Sequence, residues 1–420
     1  MGYVITVLLL LGSSNGFSEN NDIGRPVFSS LEVSLIKTLS SKNYSKKSDL
    51  SNKMSGISMA ISFGKNLFFD PELSGDGTVS CATCHNPLMS WGNHQTITSL
   101  RPDNPSTRHV PSLLGVRYNR WYFWDGRADS LWSQAIKPIE NTSEMAGSRV
   151  QVAQYIINTP SLKADYEALF GVIPELLLTT ELPNSARPVS GDGSHVEHQA
   201  WIKLSPKIRK EINRLFTNIG KSIAAFEETL VIKNTPFDEF ADNITEDEGK
   251  SRTYTGVLSN SALRGLKLFI GKAGCSNCHF GPNFSDGEFH HSFIRPVLLQ
   301  GDLGRYDGIK KLLKDPFNGK SEFSDSKQPT KLDYVYQNVE FRGQFKTPSL
   351  RNIAQSYPYM HTGEFKTLKS TIEYYNTISE RMSPDDHQEL LLKSLSLSDP
   401  EVNDLVELLK TLSEKTIRNY

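Results

Sequence analysis

The chain contains few cysteines, and none of them stands alone: all four lie in two C-x-x-C-H pentapeptides. The first is Cys81-Ala-Thr-Cys84-His85 and the second is Cys275-Ser-Asn-Cys278-His279. No cysteine lies directly after the apolar run at the start of the chain, where a lipoprotein would carry its lipid. The sequence therefore excludes a lipoprotein. Any chemistry that needs cysteine must therefore take place at these two positions.

A surplus of positive charge is also missing. The 46 Lys and Arg residues nearly balance the 47 Asp and Glu residues, and the formal net charge is −1. Proteins that bind nucleic acid or anionic membranes usually carry a basic surplus, so neither partner is expected. With 420 residues, 37% of them hydrophobic, the chain is long enough for two or three domains.

No apolar run is long enough to span a bilayer. The run from Tyr3 to Leu11 is too short, and small residues follow it at Gly12, Ser13 and Gly16. This pattern predicts a signal peptide over residues 1–18, although no Lys or Arg precedes the run. We therefore expect export and a periplasmic location, where covalent haem attachment is possible.

The two pentapeptides match the attachment signature of c-type haem. Two thiols bond to the porphyrin vinyl groups, and the adjacent histidine is placed under the iron as its axial ligand. The alternative is one zinc site, which would require both pairs to close on a single metal. Each pair has its own histidine, and nearly two hundred residues separate the pairs. The sequence therefore predicts two haems, with His85 and His279 as axial iron ligands.

The arrangement around the motifs predicts two similar lobes. An apolar helical stripe over residues 57–69 precedes the first motif, and another over residues 263–269 precedes the second. We expect a mainly α protein with two cytochrome c-like haem lobes and extended loops. The expected divisions are a linker over 19–55, an N-terminal haem lobe over 56–245 and a C-terminal haem lobe over 255–420, with surface insertions at 183–198 and 310–331.

Four further segments give the chain a resemblance to a known family. They are Phe68-Phe-Asp-Pro-Glu-Leu-Ser-Gly-Asp-Gly77, Phe123-Trp-Asp-Gly-Arg-Ala-Asp-Ser130, Lys346-Thr-Pro-Ser-Leu-Arg-Asn352 and Pro358-Tyr-Met-His-Thr-Gly363. In combination and order they resemble the bacterial di-haem cytochrome c peroxidase/MauG family, over roughly residues 57–412. The resemblance implies a peroxidatic N-terminal haem and a C-terminal haem that stores or relays electrons.

Three positions carry over as candidate catalytic residues. Trp124 matches the tryptophan between the haems, although an aromatic core residue is the simpler alternative. Gln134 and Glu144 match the distal glutamine and glutamate of the peroxide pocket. A glutamate there takes a proton from hydrogen peroxide and returns it to the leaving oxygen. The alternative for Glu144 is a solvated acid that supports a helix cap begun by Asn141.

One position separates the subfamilies on the distal side of the first haem. Members activated by reduction have a histidine seven residues before the equivalent of Arg108, and here that residue is Arg101. The resemblance therefore implies a resting haem that is open to peroxide. His94 and His109 remain as nearby alternative ligands.

A second position concerns the sixth ligand of the C-terminal haem. It falls fourteen residues after His361, where electron-storing peroxidases have methionine and MauG-type enzymes have tyrosine; here it is Tyr375. A phenolate favours higher oxidation states of iron, whereas a thioether favours the reduced form. Met360, Met382 and Tyr374 are the rival ligands.

The family's calcium ion is possible but doubtful in this chain. Its side-chain donor is an asparagine directly after the equivalent of Arg108, and His109 stands there. Histidine suits a hard, oxygen-preferring cation poorly. The carbonyls of Ser356 and Pro358 remain as donors.

These residues support three hypotheses. The leading one is a di-haem peroxidase that reduces hydrogen peroxide at the N-terminal haem and takes electrons through the C-terminal haem. Its donor in this hypothesis is a protein substrate with oxidisable aromatic residues, as in MauG-like enzymes. The second is an ordinary cytochrome c peroxidase fed by a small cytochrome or copper protein. The third is a di-haem electron carrier without catalysis, which has no use for Gln134 and Glu144. The oligomeric state is not indicated.

Overall fold

The computed structural model describes residues 26–45, 49–98, 100–101, 104, 108–245, 256–294, 301–328, 330–381 and 392–414. The expected signal peptide, the rival ligand Met382 and most of the polar stretch between the lobes lie outside these residues. Among the helices of the described ranges, none is long and apolar enough to cross a bilayer.

The described residues are mainly helical, which confirms the expected fold class. The helices are α1 (Ser30–Thr38), α2 (Ser58–Phe69), α3 (Cys81–Cys84), α4 (Leu131–Glu140), α5 (Arg149–Asn158), α6 (Pro160–Phe170), α7 (Glu175–Thr179), α8 (Val196–Lys203), α9 (Pro206–Glu227), α10 (Pro236–Asn243), α11 (Asn260–Ile270), α12 (Arg305–Lys314), α13 (Leu368–Asn376) and α14 (Asp399–Lys410). Two short strands, β1 (Phe289–His291) and β2 (Gln344–Lys346), pair antiparallel, with His290 opposite Phe345.

The first hydrophobic core forms where α2 and α4 pack against α9. Helix α9 buries one apolar face, which is the 3.6-residue pattern expected of an amphipathic helix, and its buried residues include Ile212, Phe216, Ile219, Ile223 and Phe226. A Cβ at Gly64 of α2 would overlap the carbonyl oxygen of Ser222 on α9. Glycine therefore lets the helix before the first haem motif approach α9 closely.

The second core contains the same kind of close helix crossing at a glycine. Helix α11, which precedes the second motif, packs on α14, and α13 packs beside it. A Cβ at Gly265 of α11 would overlap the carbonyl oxygen of Asp404 on α14. The helix before each attachment motif thus crosses its partner through a glycine, in keeping with the internal duplication expected from sequence.

The expected linker over residues 19–55 contains a packed helix. Helix α1 begins with a capping box between Ser29 and Glu32, and its residues Val33 and Ile36 are buried in the second core. The short helix is anchored by a few apolar residues of this polar segment, which are Phe28, Val33, Ile36 and Leu39. That signal is too weak to distinguish α1 from a linker by composition alone.

The lobe boundaries also differ from the expected ones. Helix α10 precedes residue 245, yet its residues Phe237 and Phe240 belong to the second core. Leu230 still belongs to the first core, so packing changes between these positions. Phe317 and Phe323, within the expected second insertion, are buried in the first core. The insertion therefore joins the two lobes.

A buried ion pair fixes three segments of the second lobe to one another. Arg351 is fully buried and pairs with Asp238 of α10 at 2.7 Å. The same guanidinium donates to the carbonyls of Pro282 and Leu39, both at 2.8 Å. It thus connects α10, the end of α1 and the loop that follows the second haem motif.

We expect Arg351→Met to lower the free energy of unfolding by about 3–5 kcal/mol, because the buried carboxylate of Asp238 would lose its partner. Urea denaturation of the haem-loaded protein would measure the change. Lys410→Met is the matched control, since Lys410 forms an exposed pair with Glu407, and it should cost less than about 1 kcal/mol. Equal effects of the two substitutions would refute the role of Arg351.

Candidate active site

Both C-x-x-C-H motifs open into one cavity between the lobes. Its volume is about 830 Å³, within the range of cofactor sites. The lining includes the four cysteines, His85 and His279 together with loops from both lobes. All four cysteines are free of disulfides, and burial raises the pKa of Cys84 and Cys275 to about 12. The thiols are thus available for thioether bonds.

The histidines of the two motifs are held in the same way. His85 Nδ1 lies 3.0 Å from the carbonyl oxygen of Trp91, and His279 Nδ1 lies 2.8 Å from that of Phe284. A carbonyl can only accept, so each Nδ1 carries the hydrogen and each Nε2 keeps its lone pair for iron. Burial lowers the pKa of both rings, that of His85 to about 4. Neutral, oriented imidazoles of this kind fit c-type haem.

The two acceptor residues were not found from sequence. Trp91 and Phe284 are buried, and both have a left-handed backbone, with φ of 58° and 48°. This conformation is uncommon for bulky residues and costs on the order of 1–3 kcal/mol. It turns each carbonyl toward its histidine. Because a backbone group does this, no residue type reveals it; the common spacing of five to six residues after each histidine is the only signal.

The expected distal residues both line the cavity. Helix α4 carries Gln134, and the turn after it carries Glu144; both line the cavity with His85. The buried Oε1 of Gln134 accepts no hydrogen bond from the described residues. An unsatisfied buried acceptor is costly, so this amide suits a bound ligand.

Glu144 is held in a partly buried position. Asn141 Nδ2 donates to its Oε1 at 2.7 Å. Burial raises the pKa of Glu144, and this effect outweighs the opposing influence of Arg127 and Asn141. Residues 141–144 form a turn, and the next helix begins at Arg149 with Ser148 as its cap. The alternative of a helix cap begun at Asn141 is therefore wrong.

Trp124 lies where the lobes meet. Its Nε1 donates to the carbonyl of His109 at 2.8 Å, and its own carbonyl accepts from the backbone N–H of Lys346 in β2. The Trp124 ring lies 6.3 Å from that of His361, which stacks on Phe345 at 3.6 Å. An aromatic cluster contributed by both lobes thus lines the cavity.

The candidate distal ligands of the first haem have other contacts. Arg101 pairs with Asp76 at 2.6 Å. His94 Nε2 donates to the carbonyl of Gln355 at 2.9 Å, and its ring stacks on Tyr357. His109 lines the cavity, and its Nδ1 donates to the carbonyl of Gln95 at 2.9 Å. As in His85 and His279, this contact leaves Nε2 available, so His109 stays an alternative ligand.

The contacts of His109 also concern the expected calcium site. The side chain and the carbonyl of His109 are both engaged with protein groups, Gln95 and Trp124. Ser356 and Pro358 line the cavity, as the remaining expected donors. Calcium binding here therefore stays an expectation from the resemblance.

The second haem motif has two candidate sixth ligands at one place. Tyr375 and Met360 both line the cavity, and the Tyr375 hydroxyl lies 4.0 Å from the Met360 sulfur. Burial raises the pKa of Tyr375. Tyr374 donates its hydroxyl to the carbonyl of Ser292 at 2.7 Å, away from this position. Of the rivals within the described residues, Met360 is the one that competes with Tyr375.

Two buried charged groups were not foreseen at the site. Arg108 pairs with Asp125 of the first lobe and Asp302 of the second, each at 2.7 Å. Glu227, at the end of α9, lines the cavity, and burial raises its pKa to about 8. The signal in the sequence was present but weak: Glu227 directly follows the apolar face of α9.

Comparison with known proteins finds a matching family model and proteins of similar sequence. A family model described as di-haem cytochrome c peroxidase matches residues 58–246. The chain is 30% identical over 352 residues to the methylamine utilization protein MauG of Methylorubrum extorquens, covering 84% of this chain and 77% of that protein. It is 30% identical over 350 residues to the cytochrome c551 peroxidase of Pseudomonas aeruginosa, covering 81% and 79%.

A solved structure supports the fold. The di-haem peroxidase BthA from Burkholderia thailandensis superposes with a TM-score of 0.59 at 22% identity, covering 86% of this chain and 87% of that chain. With two oriented histidines, two pairs of free thiols and one shared cavity, this chain belongs to the di-haem cytochrome c peroxidase family, as a peroxidase with two covalently bound c-type haems.

Proposed function

We propose that hydrogen peroxide is reduced on the His85 side of the cavity, with Glu144 and Gln134 as the distal residues. One observation carries this proposal: a carboxyl of raised pKa and an unsatisfied amide oxygen line the same cavity as His85. A haem that only carries electrons has no need for either group. When bound, the haem supplies the iron at which the O–O bond is cleaved.

Glu144 would move the proton. As a carboxylate it accepts a proton from one peroxide oxygen, and it returns that proton to the leaving oxygen, which departs as water. Asn141 holds the Glu144 carboxyl through its 2.7 Å hydrogen bond. Gln134 would accept a hydrogen bond from peroxide at Oε1, which positions the O–O bond. Two electrons and two protons are consumed for each peroxide, giving two waters.

We infer that the electrons enter through the His279 lobe and pass near Trp124. The Trp124 ring stands in the wall between the lobes, next to His361 and Phe345 of the second lobe. All three rings line the cavity that the two motifs share, and such rings suit transfer of oxidising equivalents from one haem site to the other.

We further propose the MauG-like branch, in which a protein partner with oxidisable aromatic residues supplies the electrons. Arg101 occupies the position of the distal histidine and pairs with Asp76 instead. Tyr375 reaches the second site, and phenolate ligation would favour higher oxidation states there. The alternative is an ordinary peroxidase fed by a small cytochrome or copper protein, and Met360, 4.0 Å from Tyr375, is the observation that favours it. We propose the periplasm as the location of either activity.

The test is the reaction of the purified diferric protein with stoichiometric hydrogen peroxide in the absence of reductant. Optical and electron paramagnetic resonance spectra should show immediate loss of the ferric signals and a long-lived two-electron-oxidised protein. A reaction that requires prior one-electron reduction would instead establish the ordinary peroxidase. Low-spin ferric signals throughout, without any reaction before or after reduction, would establish an electron carrier.

A further inference from the structure

Two tyrosine rings stack face to face between the lobes. Tyr44 follows α1, and Tyr118 lies in the 3-10 turn Val116–Tyr118 of the first lobe. Their ring centroids are 3.6 Å apart and their planes differ by 8°. Aromatic pairs held only by their mutual attraction prefer offset or edge-to-face arrangements with centroids 4.5–7 Å apart. The two rings are therefore in direct face-to-face contact, with no group between them.

Tyr44 connects this pair to the second haem motif. Its hydroxyl donates to Asn283 Oδ1 at 3.2 Å, and the next residue, Phe284, accepts the hydrogen bond from His279 Nδ1 at 2.8 Å. A continuous path of two hydrogen bonds and the intervening covalent bonds thus runs from Tyr44 to the axial histidine.

The same path is rigid. Arg351 donates to the carbonyl of Pro282 at 2.8 Å, and its guanidinium lies 5.9 Å from the centre of the Tyr44 ring. Ser349 donates to the carbonyl of Asn283, also at 2.8 Å. The loop that carries the path is therefore fixed at consecutive residues.

Tyr118 forms the outer end of the pair. It is only partly buried, whereas Asn283, at the inner end, is buried. Burial raises the pKa of both Tyr44 and Tyr118, so both phenols keep their protons at rest. The amide oxygen of Asn283 is not a base, and it cannot take the Tyr44 proton. Water at the exposed side of Tyr118 can take the proton of that phenol.

We propose that Tyr44 and Tyr118 form a redox relay between the second haem site and the protein surface. An electron leaves Tyr118, passes through Tyr44 and the Asn283–Phe284 path, and reduces the peroxide-oxidised protein by one equivalent. The phenolic proton of Tyr118 goes to solvent water, which leaves a neutral phenoxyl radical. A donor of the phenol class then gives one electron and one proton to this radical at the surface, which restores the Tyr118 phenol and leaves the donor as a phenoxyl radical. Two such transfers restore the diferric protein after one peroxide.

The relay rests on the proposed function, because peroxide must first oxidise the diferric protein. The test compares wild type with Tyr44→Phe and Tyr118→Phe, which keep the stacked rings but lack the oxidisable phenol. Tyr336→Phe is the matched control, since Tyr336 is 64% exposed and packs near Phe341. All four proteins are prepared with ring-deuterated and with ordinary tyrosine, and haem content verifies that they fold.

Each protein is mixed with stoichiometric hydrogen peroxide without reductant and frozen at successive times for paramagnetic resonance. Wild type and the control should show an organic radical whose hyperfine structure narrows with deuterated tyrosine. Both relay variants should lose this signal, and their oxidised state should decay more slowly. The loss of ferric signals on mixing should be equal in all four.

Two outcomes would overturn the relay and are distinguishable. If wild type loses its ferric signals but the relay variants keep the radical and the decay rate, the relay is wrong and the proposed function stands. If wild type keeps its ferric signals in peroxide, the proposed function fails, and the relay fails with it because nothing oxidises Tyr118.

Discussion

Glu144→Gln is expected to slow the reduction of hydrogen peroxide by about two orders of magnitude or more, as loss of a general acid–base usually does. Both haems should remain attached, because the substitution changes neither thiol pair. Glutamine keeps the size of the side chain and can still contact Asn141, so the turn over residues 141–144 should persist. The rate of ferric signal loss in stopped-flow mixing with peroxide measures the effect.

The pH profile separates proton transfer from mere positioning. Glu144 must be ionised to accept the first proton, so the rate should fall as pH drops through its pKa. Burial places that pKa above the usual carboxyl value, and the acid limb should therefore lie at higher pH than for an exposed glutamate. In Glu144→Gln this limb should disappear along with most of the rate.

Glu181→Gln is the control for the loss of one carboxylate in the same lobe, because Glu181 is exposed. It should react with peroxide at the wild-type rate and keep the wild-type pH profile. Unchanged kinetics in Glu144→Gln would remove Glu144 from the mechanism. Gln134 would then be the first residue to substitute, since its buried Oε1 has no hydrogen-bond partner among the described residues.

The features that were predictable from the sequence are those that depend on the type and local spacing of residues. Cysteine pairs followed by histidine have few uses, so Cys81 and Cys275 identified two haem sites directly. Helix α9 was equally visible, because a long amphipathic pattern predicts a packed helix wherever it occurs. In both cases the local sequence contains the whole signal.

The parts that were not predictable depend on backbone groups or on distant packing. The carbonyls of Trp91 and Phe284 orient the histidines of the two motifs, and any residue has a carbonyl. Phe317 packs in the first core although it follows the second haem motif by nearly forty residues. Neither hydrophobic pattern nor motif spacing contains such long-range information.

The sixth ligand of the second haem was only partly predictable from the sequence. The family resemblance indicated Tyr375 by its distance from His361, and it also left Met360 as a rival. Folding brings both side chains to the same wall of the cavity, 4.0 Å apart. Position alone therefore does not choose between a phenolate and a thioether, and a substitution is required.

Tyr375→Phe is expected to open the sixth position of the second haem, because the ring remains but the oxygen donor is lost. Ferric paramagnetic resonance should show added high-spin signal at the expense of low-spin signal. The two-electron-oxidised state formed with peroxide should also become shorter-lived, since the donor that stabilises higher oxidation states is gone. Tyr374→Phe is the matched control, because the Tyr374 hydroxyl bonds to the Ser292 carbonyl, and its spectra should match wild type.

Met360→Leu completes the assignment. If Tyr375 is the ligand, Met360→Leu leaves both haem spectra unchanged, because the thioether only borders the phenol. If Met360→Leu opens the second haem while Tyr375→Phe does not, the thioether is the ligand. The second haem would then store electrons as reduced iron. The donor would then be a small cytochrome or copper protein, and the diferric protein should require reduction before it reacts with peroxide. The same two variants thus decide both the ligand and the direction of electron supply.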